Sequence, residues 1–176
     1  CPNDMAYNQF SGLLYIANEE SDNVSIIRDL KFAGNIPTGN WPNFVASDPL
    51  SDAVYVSHVW NGIWVMNGTT ITAQIPGYGE SYTPMVNPIN GYTYVTDLHR
   101  PISIIRGREK IADLFVPDFN GKTLVWHLAV DYDASTGLSY FASWEHGAMT
   151  VVDGTIVVDQ FSYEGEGATD MAIDSQ

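Results

Sequence analysis

The sequence predicts an all-β fold: a β-propeller of four four-stranded blades followed by the inner strand of a fifth. Three observations lead there. A polar turn headed by Asn or Asp recurs at Asn8, Asp48, Asn87, Asp133 and Asp174, at spacings of 40, 39, 46 and 41 residues, and a period near 40 belongs to propeller blades. Four of these turns feed a segment that reaches a Tyr, at Tyr15, Tyr55, Tyr94 and Tyr140. Between them, short runs rich in Val, Ile, Tyr and Thr are broken about every 8 to 12 residues by Gly, Asn, Asp and Pro, which is a strand pattern and not a helical one.

Each blade can be assigned in order. The first spans 4–36, with an inner strand from Asp4 to Tyr7, a second strand ending at Asn18 and a third at Val24-Ser25-Ile26-Ile27. The second spans 43–75: Phe44 to Ser47, a strand ending at His58, then Ile63-Trp64-Val65-Met66. The third spans 83–116, with Thr83 to Val86, a strand ending at Asp97, and Ile102-Ser103-Ile104-Ile105. The fourth spans 127–161, with Ala129 to Tyr132, a strand ending at Ser143, and Met149-Thr150-Val151-Val152. Apolar residues alternate or run together in these strands, as they must when neighbouring sheets cover both faces. Asn67-Gly68 and Asp153-Gly154 predict two-residue hairpins in which both central positions take positive φ.

Residues 169–174 form the extra inner strand, because Asp170-Met171-Ala172-Ile173-Asp174 repeats Asp4-Met5-Ala6-Tyr7-Asn8. Three arrangements accommodate it: part of a longer propeller, chains that complete one another by ring assembly or strand exchange, or a four-bladed ring with a displaced tail.

Composition narrows the function. The 176 residues hold 7 Lys+Arg against 21 Asp+Glu, a formal charge of −14, in one domain's length. Residues 123–176 contain no Lys or Arg, so a nucleic-acid partner is excluded on electrostatic grounds. No apolar run is long enough for a membrane span. Cys1 is the only cysteine, which rules out an internal disulfide and cysteine-based metal or haem sites. Phosphate-cradling loops, nucleophile elbows and His-Glu-x-x-His are missing, so neither a cofactor nor an enzymatic activity is expected.

In an up-and-down blade, the loops between strands two and three share a face with the links to the next blade, and that face collects the irregular residues. Its ligand-binding candidates are Trp41, His58, Trp60, Tyr78, Asp97, His99, Trp144, Glu145 and His146. Exposed aromatics among carboxylates suit stacking on sugar rings or contact with a protein. His58, His99 and His146 have the ligand chemistry of a divalent metal, the basis of a rival reading as a metal-dependent hydrolase or lyase. They lie 3, 5 and 6 residues beyond their repeat Tyr, however, so they do not form a ring at one depth. Paired carboxylates such as Asp131 with Asp133 have glycosidase chemistry in principle, but alternating acids are usually solvated. Two sequons, Asn23-Val24-Ser25 and Asn67-Gly68-Thr69, make Asn23 and Asn67 glycosylation candidates.

The second strands read Tyr15-Ile16-Ala17-Asn18, Tyr55-Val56-Ser57-His58, Tyr94-Val95-Thr96-Asp97 and Tyr140-Phe141-Ala142-Ser143. Together with Val24-Ser25-Ile26-Ile27, the Asp48-Pro49 and Asn87-Pro88 turns, and Ile36-Pro37-Thr38-Gly39-Asn40-Trp41-Pro42, they resemble the YVTN family of propeller repeats. The resemblance covers nearly the whole chain and implies a surface or secreted propeller. It leads us to expect a non-enzymatic extracellular or cell-surface module, structural or binding, acidic and glycosylated. Its expected partners are other copies of itself, as a homo-oligomer or filament joined through blade edges or strand exchange, or other surface proteins and glycans.

Overall fold

The computed structural model describes residues 1–77, 81–116, 127–144, 147–163, 165 and 167–174. It contains four antiparallel sheets of four strands, each in simple sequential order. The first blade is β1 (Pro2–Asn8), β2 (Leu13–Asn18), β3 (Asn23–Arg28) and β4 (Lys31–Pro37). The second is β5 (Pro42–Ser47), β6 (Ala53–His58), β7 (Gly62–Asn67) and β8 (Thr70–Ile75). The third is β9 (Ser81–Asn87), β10 (Tyr92–Asp97), β11 (Ile102–Arg106) and β12 (Glu109–Leu114), and the fourth β13 (His127–Tyr132), β14 (Ser139–Ser143), β15 (Ala148–Asp153) and β16 (Ile156–Ser162). Among the described residues, no helix is long and apolar enough to cross a membrane.

Inner strands pack in the order β1, β5, β9, β13, and β13 and β1 form no comparable junction with each other. The blades therefore make an open arc, not a four-bladed ring with a displaced tail. Burial shows the same thing. β6 and β10 are buried at five of six positions, because a sheet covers each of their faces. In β2, buried and half-buried positions alternate, with Leu13, Tyr15 and Ala17 facing blade 2 and Leu14, Ile16 and Asn18 on the open side.

Each junction between blades has its own apolar core. Tyr15, Val24 and Ile26 meet Val45, Val54 and Met66. Tyr55, Ile63 and Ile75 meet Val95 and Ile105. Tyr94, Ile102 and Ile104 meet Phe141 and Val152. Each such side chain contributes about 1.5–3 kcal/mol when fully buried.

The repeat residues tie these cores together. The hydroxyls of Tyr15, Tyr55 and Tyr94 donate to the carbonyls of Gly68 (2.9 Å), Gly107 (3.1 Å) and Gly154 (2.7 Å), each in the turn between the third and fourth strands of the next blade. Burial raises all three phenol pKa values, which keeps the hydroxyls protonated as donors. The turn residue of each repeat caps its own loop: Asn8 Oδ1 accepts the Phe10 N–H, Asp48 Oδ1 that of Leu50, Asn87 Oδ1 that of Ile89, and Asp133 Oδ1 that of Ser135. Where this residue is Asn, its amide also reaches the following blade, Asn8 to the Ser51 carbonyl and Asn87 to the Gly137 carbonyl, both at 2.8 Å.

The hairpins differ from expectation in one respect. Gly68 (φ 56°) and Gly154 (φ 59°) are left-handed, but their neighbours Asn67, Thr69, Asp153 and Thr155 are not, since the flanking Asn and Asp end their strands. Among the described turns between third and fourth strands, the one with two positive φ values is Asp29-Leu30 in blade 1, at 50° and 61°.

The segment 169–174 lies beside blade 4 but joins no sheet. The Ile173 N–H donates to Asp131 Oδ2 at 2.8 Å. The Val45 N–H donates in the same way to Asp4 Oδ2 at 2.9 Å, between the inner strands of blades 1 and 2. The segment thus stands where the inner strand of a fifth blade belongs.

Candidate functional site

The face of the arc that carries the second-to-third loops is fastened by its links. In blade 1 that loop is a single 3-10 turn, Glu19–Ser21, closed by Asp22 in the left-handed region at φ 51°. The Asp22 carbonyl accepts the Thr38 N–H at 3.0 Å, and its carboxylate accepts the Trp41 N–H at 2.9 Å. The Trp41 carbonyl in turn accepts the Val59 N–H at 3.1 Å, and Asn61 Nδ2 donates to the Asn40 carbonyl at 3.3 Å. The link between blades 1 and 2 is therefore clipped to a loop on either side.

These clips hold two tryptophans on adjoining backbone. Trp41 (φ 55°) and Trp60 (φ 71°) both adopt the left-handed conformation, which costs a non-glycine residue about 1–2 kcal/mol. Their side chains are 51% and 58% exposed. Trp144 is 40% exposed, and its carbonyl accepts the Gly167 N–H at 2.8 Å, the corresponding clip beyond blade 4. These aromatics do not wedge between blades; they offer apolar ring surface on the loop face.

His58 has a different position from the one expected of a ligand-binding residue. It ends β6 fully buried, its ring 5.1 Å from that of Trp64, and among the described residues neither nitrogen has a hydrogen-bond partner. Burial lowers its pKa to about 4, outweighing the smaller opposing influence of the nearby Val56 and Gly62 backbone and of Asp22. A neutral imidazole closed off in this way cannot reach a ligand, because the strand that carries it is covered on both faces.

Asp97 ends β10, is 8% exposed, and caps its loop by accepting the His99 N–H at 2.8 Å. It lines a cleft of ≈ 440 Å³ between the Pro76–Gly77 link and blade 3, together with Arg100, Ser103, Lys110, Asp113 and Phe115. Lys110 and Asp113 form an ion pair at 2.5 Å, and the Ser103 hydroxyl donates to Asp113 at 3.4 Å. The cleft carries both signs of charge beside an exposed phenyl ring. Arg100, Arg106, Arg108 and Lys110 gather in the third repeat of the sequence, but no local pattern places two of them in one cleft.

Tyr78, Glu145 and His146 lie outside the described residues. His99 is exposed on the loop while His58 is enclosed, so the two do not converge. Among the described residues, no group of three or more His, Cys, Asp or Glu side chains could hold a metal ion. Asp131 and Asp133 are occupied structurally: Asp131 holds the Ile173 and Tyr132 amides. Hydrogen bonds from the Ser135 hydroxyl and amide, and from Thr136, keep the Asp133 carboxyl below its ordinary pKa. The Asn67 amide donates to Asp52 at 2.8 Å and that of Asn23 to the Ser21 carbonyl at 2.7 Å.

The arrangement can therefore bind through ring stacking, mixed charge and apolar blade surface. No family model matches the chain, and no curated protein matches it. Solved structures do. The chain is similar to Kuenenia stuttgartiensis hydrazine synthase at 15% identity with a TM-score of 0.75, over 90% of this chain and 48% of that one. It is also similar to the β-propeller domain of Cps50 (Swd1) from Myceliophteria thermophila at 10% identity with a TM-score of 0.77, over 94% of this chain and 56% of that one. The likeness defines a β-propeller fold, and the chain spans about half the length of these structures.

Proposed function

We propose that this chain is a YVTN-like, non-enzymatic structural and binding module that works outside the cell or at its surface, in an assembly made through its terminal blade faces. The observation that carries this reading is the open side of blade 1. Met5 and Tyr7 are 63% and 61% exposed, and Leu14, Ile16 and Ile27 beside them are only half-buried. A clustered apolar face of this kind marks an interaction surface. The sequons at Asn23 and Asn67, the acidic composition and the resemblance of the repeats support the extracellular placement. Sedimentation of the 176-residue chain across a concentration series tests the assembly, which predicts a mass that rises with concentration; a constant monomer mass rejects it. Expression in a glycosylating host, with the mass read before and after glycan removal, tests the placement.

A second reading is favoured by Trp41 and Trp60, which are held exposed at a backbone cost. It assigns the loop face to a glycan or other ligand with flat apolar faces. Quenching or enhancement of tryptophan fluorescence by glycans, lost in Trp41→Ala, supports it. An unchanged spectrum across a glycan panel rejects it.

A further inference from the structure

We propose that a cavity between blades 2 and 3, on the face opposite the tryptophan-bearing loops, binds a calcium ion through Asp48 and the oxygens of Gly91 and Thr93. The site lies inside a junction between two complete blades and does not depend on how the terminal faces are used.

The repeat defines it by contrast. The residue that heads the turn is Asn at 8 and 87 but Asp at 48. Asn8 and Asn87 are fully buried, and each amide donates into the following blade. Asn87 Nδ2 reaches the Gly137 carbonyl at 2.8 Å and the Ser139 hydroxyl at 2.9 Å. Gly137 and Ser139 lie 4 and 6 residues beyond Asp133, just as Gly91 and Thr93 lie 4 and 6 beyond Asn87. Gly91 and Thr93 are therefore the acceptors that an amide at position 48 would meet.

Asp48 has no proton to give them. Where the other two junctions close, this one holds a cavity of ≈ 130 Å³ lined by Asp48, Ser51, Tyr55, Gly91, Thr93 and Gly107. Asp48 stands only half-buried beside it. At about 30 Å³ per water, the space takes an ion with several waters.

The chemistry of the lining selects the occupant. Its three side-chain hydroxyls have each committed their proton to another oxygen. Ser51 donates to Asp48 Oδ2 at 2.6 Å, Tyr55 to the Gly107 carbonyl at 3.1 Å, and Thr93 to the Tyr55 hydroxyl. The amides of Leu50 and Gly91 are spent on Asp48 Oδ1 at 2.8 Å and on the Asn87 carbonyl at 3.0 Å. Among the described residues no Lys, Arg or His pairs with Asp48. Arg106, near the same turn, stacks over Tyr92 instead, on the side of the sheet that packs against blade 4. What remains is one carboxylate among oxygen lone pairs, which is the environment of a hard cation.

Calcium fits it best. It accepts about 6–8 oxygens in flexible geometry, backbone carbonyls included, whereas magnesium demands a near-ideal octahedron. Asp48 supplies the charge, the Gly91 carbonyl and the Thr93 hydroxyl supply neutral oxygens, and water completes the shell. A single carboxylate makes the site weak, with a Kd of about 1 mM. The bound ion ties the turn of blade 2 to blade 3, the task that the Asn8 and Asn87 amides perform at their own junctions.

The test is thermal melting of the 176-residue chain, stripped with EDTA, as calcium chloride is raised to about 10 mM against sodium chloride at matched ionic strength. The melting temperature is expected to rise by about 4 °C in calcium alone. Asp48→Asn provides the donor of the other junctions, so it is expected to melt with the parent chain in EDTA and to lose the calcium response. Asp52→Asn, at an exposed acid of the same turn, is expected to keep it. Terbium luminescence excited through Tyr55 reads the site directly, and its calcium-displaceable part should vanish in Asp48→Asn. A melting temperature that calcium leaves unchanged means that water alone fills the cavity, and overturns the proposal. A rise that sodium matches, or that survives in Asp48→Asn, overturns it as well.

Discussion

The Tyr94 hydroxyl donates a 2.7 Å hydrogen bond to the Gly154 carbonyl of the next blade while accepting one from Asn90 Nδ2 at 3.0 Å. The ring lies edge-on to Phe141, with centroids 5.4 Å apart. One side chain therefore joins a turn, a hairpin and an inter-blade core. Tyr94→Phe keeps the ring and leaves the Gly154 carbonyl without this donor. The expected loss is about 1–2 kcal/mol, read from the urea midpoint at constant m-value.

Asn87 is fully buried and makes two donor contacts, to the Gly137 carbonyl at 2.8 Å and the Ser139 hydroxyl at 2.9 Å. Asn87→Asp removes both donors and sets a carboxylate against a carbonyl oxygen. A destabilisation of about 2–4 kcal/mol is expected at neutral pH. Because a buried carboxyl titrates upward, part of the loss returns on acidification, as a pH series of urea melts should show. Asp48→Asn, at a repeat position that only accepts, is expected to change stability by less than about 0.5 kcal/mol.

His58 titrates near 6.5 when unfolded and about 4 when folded, so the unfolded chain binds the extra proton between those values. Its contribution is intact above about pH 6.5 and falls as pH drops, by about 2 kcal/mol at pH 5 and about 3 kcal/mol at pH 4. His58→Phe should flatten this part of the stability profile. A profile unchanged by the substitution means that the ring is not enclosed.

Trp41 takes a left-handed backbone conformation at φ 55°. Trp41→Gly removes the steric cost of Cβ there, whereas Trp41→Ala keeps it. The glycine variant is expected to be the more stable of the two by about 1 kcal/mol, measured by thermal melting. Both lose the indole, so any ligand response carried by Trp41 disappears equally from both.

The repeat was legible because its demands are local. A turn needs Asn or Asp to cap it, and the strand after it needs a Tyr long enough to cross to the next blade. That spacing placed the ends of the second strands at Asn18, His58, Asp97 and Ser143, where β2, β6, β10 and β14 end. The site was less legible because it depends on neighbours distant in sequence. His58 closes its strand at the position held by Asn18 and Asp97, yet covering sheets enclose it. Trp41 precedes Pro42, which favours an extended conformation; the Asp22 carboxylate and the Val59 amide hold it in the left-handed region instead. The mixed-charge cleft joins the Pro76–Gly77 link to Lys110 and Asp113, a juxtaposition that no local pattern encodes.

The cross-blade hydrogen bonds of the described residues each join a blade to its immediate successor. The arc is therefore thermodynamically a one-dimensional chain of nearest-neighbour couplings, in which a unit with two neighbours is held twice and a terminal unit once. In the unassembled chain of residues 1–176, fraying should begin at the ends and move inward. Hydrogen exchange should be fastest in β1 and slowest in β6 and β10, a protection gradient set by blade position rather than by the composition of each strand.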